Sequence, residues 1–120
     1  MKHADIIARV TQRVLFVCSR NRLRSPTAER VFGEMPGVEA DSAGLAPDAD
    51  GQLSRDQLDW ADTIFVMERA HRAKLMRTFG GALKGKRVIC LDIPDSYTFM
   101  QPELVSVLER KVLQHLRHRS

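Results

Sequence analysis

The chain is poor in cysteine and aromatic residues: Cys18 and Cys90 are the only cysteines, Trp60 the only tryptophan and Tyr97 the only tyrosine. Two cysteines exclude a disulfide-stapled scaffold and leave room for at most one bridge. No apolar run approaches the roughly 18 residues of a membrane span, so no membrane partner is expected. Met1-Lys2-His3-Ala4-Asp5 carries no apolar signal-peptide core, which points to a cytoplasmic, reducing location. There is no zinc-finger spacing, aromatic-rich RNA-binding motif, internal repeat or low-complexity tract. A nucleic-acid partner is therefore not expected, although 19 basic residues against 15 acidic ones give a net charge of +4 that suits acidic substrates.

At 120 residues, with 28% charged and 43% hydrophobic residues, the composition is that of one globular domain able to bury a core without metal or disulfide. We read residues 1–120 as that domain, with 1–13 as a loosely attached extension bearing Ile6, Ile7 and Val10 at helical spacing. Three continuous apolar runs, Val14–Cys18, Thr63–Met67 and Val88–Leu91, read as strands covered on both faces. Val38–Ser42 alternates and is more polar, so it is placed at a sheet edge.

Helical periodicity lies between these runs. Ala28, Val31, Phe32 and Met35 follow i, i+3, i+4, i+7 spacing after Ser25, a candidate cap, and Pro26, a favourable first-turn residue. Ser54 and Gln57 form a capping box inside a Leu53/Leu58 staple. A basic helix spans 69–79, closed by Gly80-Gly81, and a last helix spans about 102–117. The order β-α-β-α-β-α-β-α is that of an α/β domain with a parallel sheet.

The chemistry-bearing stretch is Cys18-Ser19-Arg20-Asn21-Arg22-Leu23-Arg24-Ser25, set between a strand and a helix. There, successive backbone N–H groups can curl around one anion at the positive end of a helix. The same field favours a thiolate at the start of the loop. Arg24 can grip two phosphate oxygens through its planar fork. Ser25 can donate to the Cys18 sulfur, and Asn21 tolerates the left-handed backbone so tight a loop demands.

With these residues in view, Val14–Glu29 resembles the active-site segment of the low-molecular-weight protein tyrosine phosphatases. Asp41-Ser42-Ala43-Gly44, Ala61–Met67 and Ile93-Pro94-Asp95-Ser96-Tyr97 extend the likeness from residue 14 to about 116. The resemblance implies a three-layer α/β sandwich: a four-stranded parallel sheet in the order 2-1-3-4, with the phosphate loop after the first strand. It further implies a phosphate-monoester hydrolase of the protein tyrosine phosphatase type, acting through a phosphocysteine on a phosphorylated protein or small phosphate ester. No cofactor or metal is implied. Carried over residue by residue, Cys18 is the nucleophile, Arg24 the phosphate ligand and Asp95 the general acid. Ser19, Arg20, Asn21, Arg22, Leu23 and Ser25 form the phosphate cradle, Tyr97 an aromatic wall, and Ser42 a support for the loop through Asn21.

The chain departs from the family pattern at Arg20, where glycine is usual, at Leu23, where a second cysteine is frequent, and at Ser96, where proline follows the acid. The stretch between Gly44 and Ala61, which normally supplies another aromatic wall, is short. Asp92 is the rival for the general acid, and the Ile-Pro-Asp-x-Tyr register favours Asp95. His71 and Arg72 read as solvated helix residues. His115 and His118 lack metal-ligand spacing. Two other functions fit the same loop: a thiol-dependent arsenate reductase with Cys90 as resolving thiol, and a non-catalytic phosphate-binding module.

Overall fold

In the computed structural model, which describes residues 11–116, four parallel strands form one sheet in the order β2-β1-β3-β4. They are β1 (Gln12–Cys18), β2 (Val38–Gly44), β3 (Thr63–Val66) and β4 (Arg87–Cys90). The helices between and after them are α1 (Arg24–Gly33), α2 (Arg55–Trp60), α3 (Arg69–Phe79) and α4 (Pro102–Val112), with 3-10 turns at Gly80–Leu83 and Leu113–His115. The expected sheet order holds, with the Cys18 loop following β1 in the crevice between β2 and β3. The helical reading of Ile6, Ile7 and Val10 lies outside the described residues.

The layers follow from strand parity, because alternate side chains leave opposite faces of a sheet. Val14, Phe16 and Cys18 of β1, with Phe65 of β3, meet Ala28 and Phe32 of α1 and Leu104, Leu108 and Val112 of α4. Phe16 stacks on both Phe32 and Phe65, with ring centroids 5.6 and 5.3 Å apart. On the other face, Leu15, Val17, Ile64 and Val66 meet Leu58 of α2 and Leu75 of α3. The apolar runs of β1 and β3 are therefore continuous because both faces are covered. The more polar Val38–Gly44 forms an edge strand, in register with β1 from Gln12 opposite Val38 to Cys18 opposite Gly44. None of the helices described is long and apolar enough to cross a membrane.

Three local expectations change. α1 begins at Arg24, and Ser25 lies inside its first turn, fully buried; Leu23 occupies the capping position and supplies no side-chain bond. The Ser25 hydroxyl is instead turned back into the loop. α3 closes into a 3-10 turn, since Gly80 keeps right-handed dihedrals (φ −43°, ψ −47°) and no left-handed glycine cap forms. The last helix is α-helical only to Val112. The Ser54/Gln57 capping box of α2 forms as expected.

Gly44 ends β2 where the backbone of the Cys18 loop passes closest. A Cβ there would lie 2.6 Å from the Ser19 carbonyl oxygen and 2.6 Å from the Ala49 Cβ. Backbone cannot yield as a flexible side chain can, so Gly44→Ala must push the loop outward. The expected cost is about 1–3 kcal/mol, the usual range for overpacking, measured by urea unfolding. Unfolding curves that superimpose on wild type would show that the approach is not tight.

Candidate active site

The loop from Cys18 to Arg24 is built by turning its carbonyls outward. The oxygens of Cys18, Ser19 and Arg20 accept from the N–H groups of Leu45, Ala46 and Asp50 at 3.0, 2.8 and 3.0 Å. With the carbonyls engaged on the outside, the loop amides face inward, and the Asn21 N–H donates to the Cys18 sulfur at 3.2 Å. Asn21 adopts φ +56°, the left-handed conformation its side chain tolerates. Its side chain lies against Gly51, where a Cβ would come within 2.6 Å of Nδ2. The short segment after Gly44 thus forms the outer wall of the loop.

Cys18 Sγ and Ser25 Oγ are 2.9 Å apart, and the Ser25 hydroxyl also reaches Asn21 Oδ1 at 3.0 Å. Above the sulfur opens a pocket of about 460 Å³ lined by Cys18, Ser19, Arg20, Arg22, Leu23, Arg24 and Asp95. Asn21 and Ser25, also expected in the cradle, lie behind it. Arg20 and Arg22 stand at the exposed rim, paired with Asp48 (3.8 Å) and Asp50 (3.1 Å).

Arg24 is 4% exposed and held from several sides. Its Nη1 donates to Glu68 Oε2 and to the Ile93 carbonyl (2.7 Å), and its Nε is 3.6 Å from Asp95 Oδ1. Asp95 is 60% exposed, so its carboxylate has room to swing. Asp92 takes no part in this pocket. It lines a shallow depression with Glu68, Arg69, Ile93 and Pro94, and its carbonyl receives Lys111 Nζ at 3.2 Å. Of the two aspartates, only Asp95 is brought to the sulfur and arginine.

Three other expectations are corrected. The Ser42 hydroxyl donates to Glu29 Oε1 of α1 rather than supporting Asn21; Ser42 lies two residues short of Gly44, where the chain meets the loop. Tyr97 is half-buried against the core face formed by β1, α1 and α4 and does not line the pocket. Among the described residues, no aromatic ring lines the pocket. His71, read as solvated, is 5% exposed.

His71 and Glu68 were not legible as site residues, yet both touch the loop. The Glu68 N–H donates to His71 Nδ1 at 3.1 Å, which leaves the ring proton on Nε2, 3.3 Å from Ser19 Oγ. Burial first, and then the Arg24 cation, hold the His71 pKa below its ordinary 6.5. The bond from Arg24 keeps the Glu68 pKa below its ordinary 4.5, against a smaller opposing effect of burial. The usable signal was position: Glu68 follows a central strand at its carboxyl end, where ligand sites of parallel sheets form.

Cys90 cannot pair with Cys18 in this fold. Cys90 of β4 lies opposite Val66 of β3, which lies opposite Val17 of β1, the residue before Cys18. Two strand spacings of about 4.8 Å each exceed the roughly 7 Å Cα limit of a disulfide. The two side chains also belong to opposite faces of the sheet. His115 packs its ring 6.0 Å from that of Phe65, and His118 lies outside the described residues.

No protein-family model matches the chain. A curated protein-arginine-phosphatase from Geobacillus stearothermophilus is 29% identical over 91 residues, covering 56% of this chain and 62% of the relative. The chain thus spans less than two thirds of that relative's length. Among solved structures, the YwlE arginine phosphatase of G. stearothermophilus is similar with a TM-score of 0.67 and 24% identity, over 90% of this chain and 99% of that one. A low-molecular-weight protein tyrosine phosphatase from T. tengcongensis gives a TM-score of 0.70 and 23% identity, over 88% and 100%. The resemblance read from the sequence holds: the neighbours are bacterial low-molecular-weight phosphatases, and the chain has their fold.

The environment of His71 sets a pH dependence of stability. Its folded-state pKa is depressed, so the unfolded chain binds the proton more readily, and stability must fall as pH drops below the ordinary value of 6.5. The Glu68 contribution disappears separately, below its ordinary 4.5. Urea midpoints measured from pH 7.5 to 5.5 are expected to decline in wild type and to flatten in His71→Asn. Parallel slopes in the two proteins would contradict the assignment.

Proposed function

We propose that the protein is a cysteine-dependent protein phosphatase that passes through a phosphocysteine. The observation that carries this is the Cys18 sulfur, set 2.9 Å from the Ser25 hydroxyl and 3.2 Å from an inward amide, beneath a pocket shared with Arg24 and Asp95. The Cys18 thiolate attacks phosphorus in line with the leaving oxygen. An S–P bond forms, the ester P–O bond breaks, and Asp95 gives its proton to the departing oxygen. Water then attacks the phosphocysteine, Asp95 takes up its proton, and inorganic phosphate leaves with Cys18 regenerated as thiolate.

The anchoring of Arg24 supports this reading. Nη1 is tied to Glu68 and Ile93, so Nε and Nη2 are the donors that face a phosphate, in the bidentate geometry lysine cannot reproduce. Phosphate arriving at Nε displaces Asp95, the exposed and weakly held partner, toward the leaving group. With His71 Nε2–H donating to Ser19 Oγ, the Ser19 proton remains free to bond a phosphate oxygen. These preorganised donors act where charge redistributes in the transition state.

Phosphotyrosine is the substrate implied by the family resemblance. Phosphoarginine is a second reading, favoured by a pocket without an aromatic ring, by Asp95 as a carboxylate able to receive a guanidinium, and by the activity named for the curated relative.

Cys18→Ser is expected to abolish turnover. Arg24→Lys should lower kcat/KM on the order of 10²-fold, comparable to losing an oxyanion donor. Asp95→Asn should lose about 10²- to 10⁴-fold on phenyl or alkyl phosphates, the range of general acid catalysis, and much less on para-nitrophenyl phosphate. A panel of phosphotyrosine and phosphoarginine peptides decides between the substrates. Phosphate release by Cys18→Ser above a few per cent of wild type would refute the mechanism, and an exchange of behaviour between Asp95→Asn and Asp92→Asn would move the acid to Asp92.

A further inference from the structure

α3 carries Arg69, Arg72, Lys74 and Arg77 and no acidic residue. Its buried side is His71 and Leu75, while all four basic residues are exposed. Arg69 and Arg72, and Lys74 and Arg77, are three residues apart, where like charges repel along a helix surface. Among the described residues Arg69 and Arg72 are not part of any ion pair, whereas Arg20, Arg22, Arg24 and Arg55 all are. An uncompensated pair of cations, Arg69 and Arg72, therefore stands on one face of the first turns of the helix whose N-terminus touches the phosphate loop.

Beside this pair lies a groove of about 440 Å³ between α3 and the edge strand β4, lined by Arg69, Arg72, Ala73, Met76 and Cys90. Its floor is apolar. Met76 is 46% exposed, one of two large hydrophobic side chains so exposed among the described residues. The groove adjoins a second depression, because Arg69 also borders the one formed by Glu68, Asp92, Ile93 and Pro94, and Glu68 and the Ile93 carbonyl in turn hold Arg24 of the active-site pocket.

We infer that this groove docks an acidic segment of the phosphorylated protein, remote from the phosphorylated residue and carrying an apolar side chain that covers Met76. The inference rests on the phosphatase reading only in assigning the segment to a substrate. Charge complementarity selects an acidic occupant, because Arg69 and Arg72 gain a counter-charge that no ion pair among the described residues provides. The apolar floor selects a polypeptide carrying an apolar anchor, since a uniformly charged polyanion would leave Met76, Ala73 and Cys90 uncovered. Position sets the register. Asp95 lines the pocket itself, and Glu68 and Asp92 line the depression that adjoins the groove, so acidic residues adjoining the phosphorylated residue are repelled and those set back along the segment are attracted.

The test compares phosphopeptides with a neutral flank, an adjacent acidic flank, and a distal acidic flank containing one leucine. It also measures fluorescence-anisotropy binding of the unphosphorylated distal-acidic peptide. For wild type, kcat/KM should be about tenfold higher for the distal-acidic than for the neutral peptide, mostly through KM, with the advantage shrinking as salt rises. Arg69→Glu/Arg72→Glu should abolish that preference, and Met76→Asp should weaken it, while para-nitrophenyl phosphate hydrolysis stays unchanged in both. Arg69→Gln/Arg72→Gln should fall between wild type and the charge reversal.

Anisotropy keeps the two readings separable. If wild type hydrolysed nothing yet bound the unphosphorylated acidic peptide through Arg69 and Arg72, the groove would stand and the phosphatase reading would fall. A distal-acidic preference that survives in Arg69→Glu/Arg72→Glu would overturn the groove, as would binding of a single-stranded oligonucleotide in place of the peptide.

Discussion

A phosphate loop has more backbone dipoles than it has ways to aim them, and here the aim comes from outside the loop. The carbonyls of Cys18, Ser19 and Arg20 are each taken by an N–H from the segment that follows β2. Buried peptide groups must be satisfied, and once the oxygens are engaged on the outer side the amides are left facing the anion site. Gly44 lets that segment come close enough, since any side chain there would strike the Ser19 carbonyl. Asn21 supplies the one left-handed turn that lets the loop close. Cys18, its Ser25 partner and the entry into α1 inherit their geometry from this backing.

The second constraint is a buried guanidinium. Arg24 at 4% exposure is costly unless its charge is paired and its N–H groups are bonded. Glu68 and the Ile93 carbonyl meet that need on one side. They come from the carboxyl ends of β3 and β4, so the sheet topology itself delivers the anchor. Burial first, and then the same cation, disfavour protonation of His71 beside Ser19.

The legible parts of the sequence were those written in local pattern. The apolar runs gave the covered strands because burial on both faces removes polar alternation. The Ser54/Gln57 box marked α2, and the Cys18–Ser25 spacing, placed between a strand and a helix, marked the loop. What escaped was long-range. Nothing near Glu68 announces that Arg24, 44 positions earlier, will lie against it, and basic neighbours made His71 look solvated. Ser25 was read both as a cap and as a partner of the Cys18 sulfur; its hydroxyl lies against the sulfur, and the cap does not form. Tyr97 was assigned to a wall by family register, while half-burial against the β1–α1–α4 core draws its ring away from the pocket.

The short segment after β2 also reshapes recognition. It keeps the backing hydrogen bonds and gives up an aromatic wall, so the pocket is bounded by the rim arginines Arg20 and Arg22, each tied to a nearby aspartate. An aromatic contact typically adds about 0.5–1.5 kcal/mol beyond area burial, and exposed ion pairs contribute about 0–1 kcal/mol. Contacts of this size to the group that carries a phosphate would add little to the grip on the phosphate itself. A catalytic loop that binds mainly the phosphoryl group discriminates poorly between carriers, because every substrate presents the same three oxygens. Discrimination must then come from contacts remote from the reacting centre, which can also contribute to transition-state stabilisation. The cationic, apolar-floored groove along α3 lies where such contacts would form, one residue beyond the glutamate that anchors Arg24.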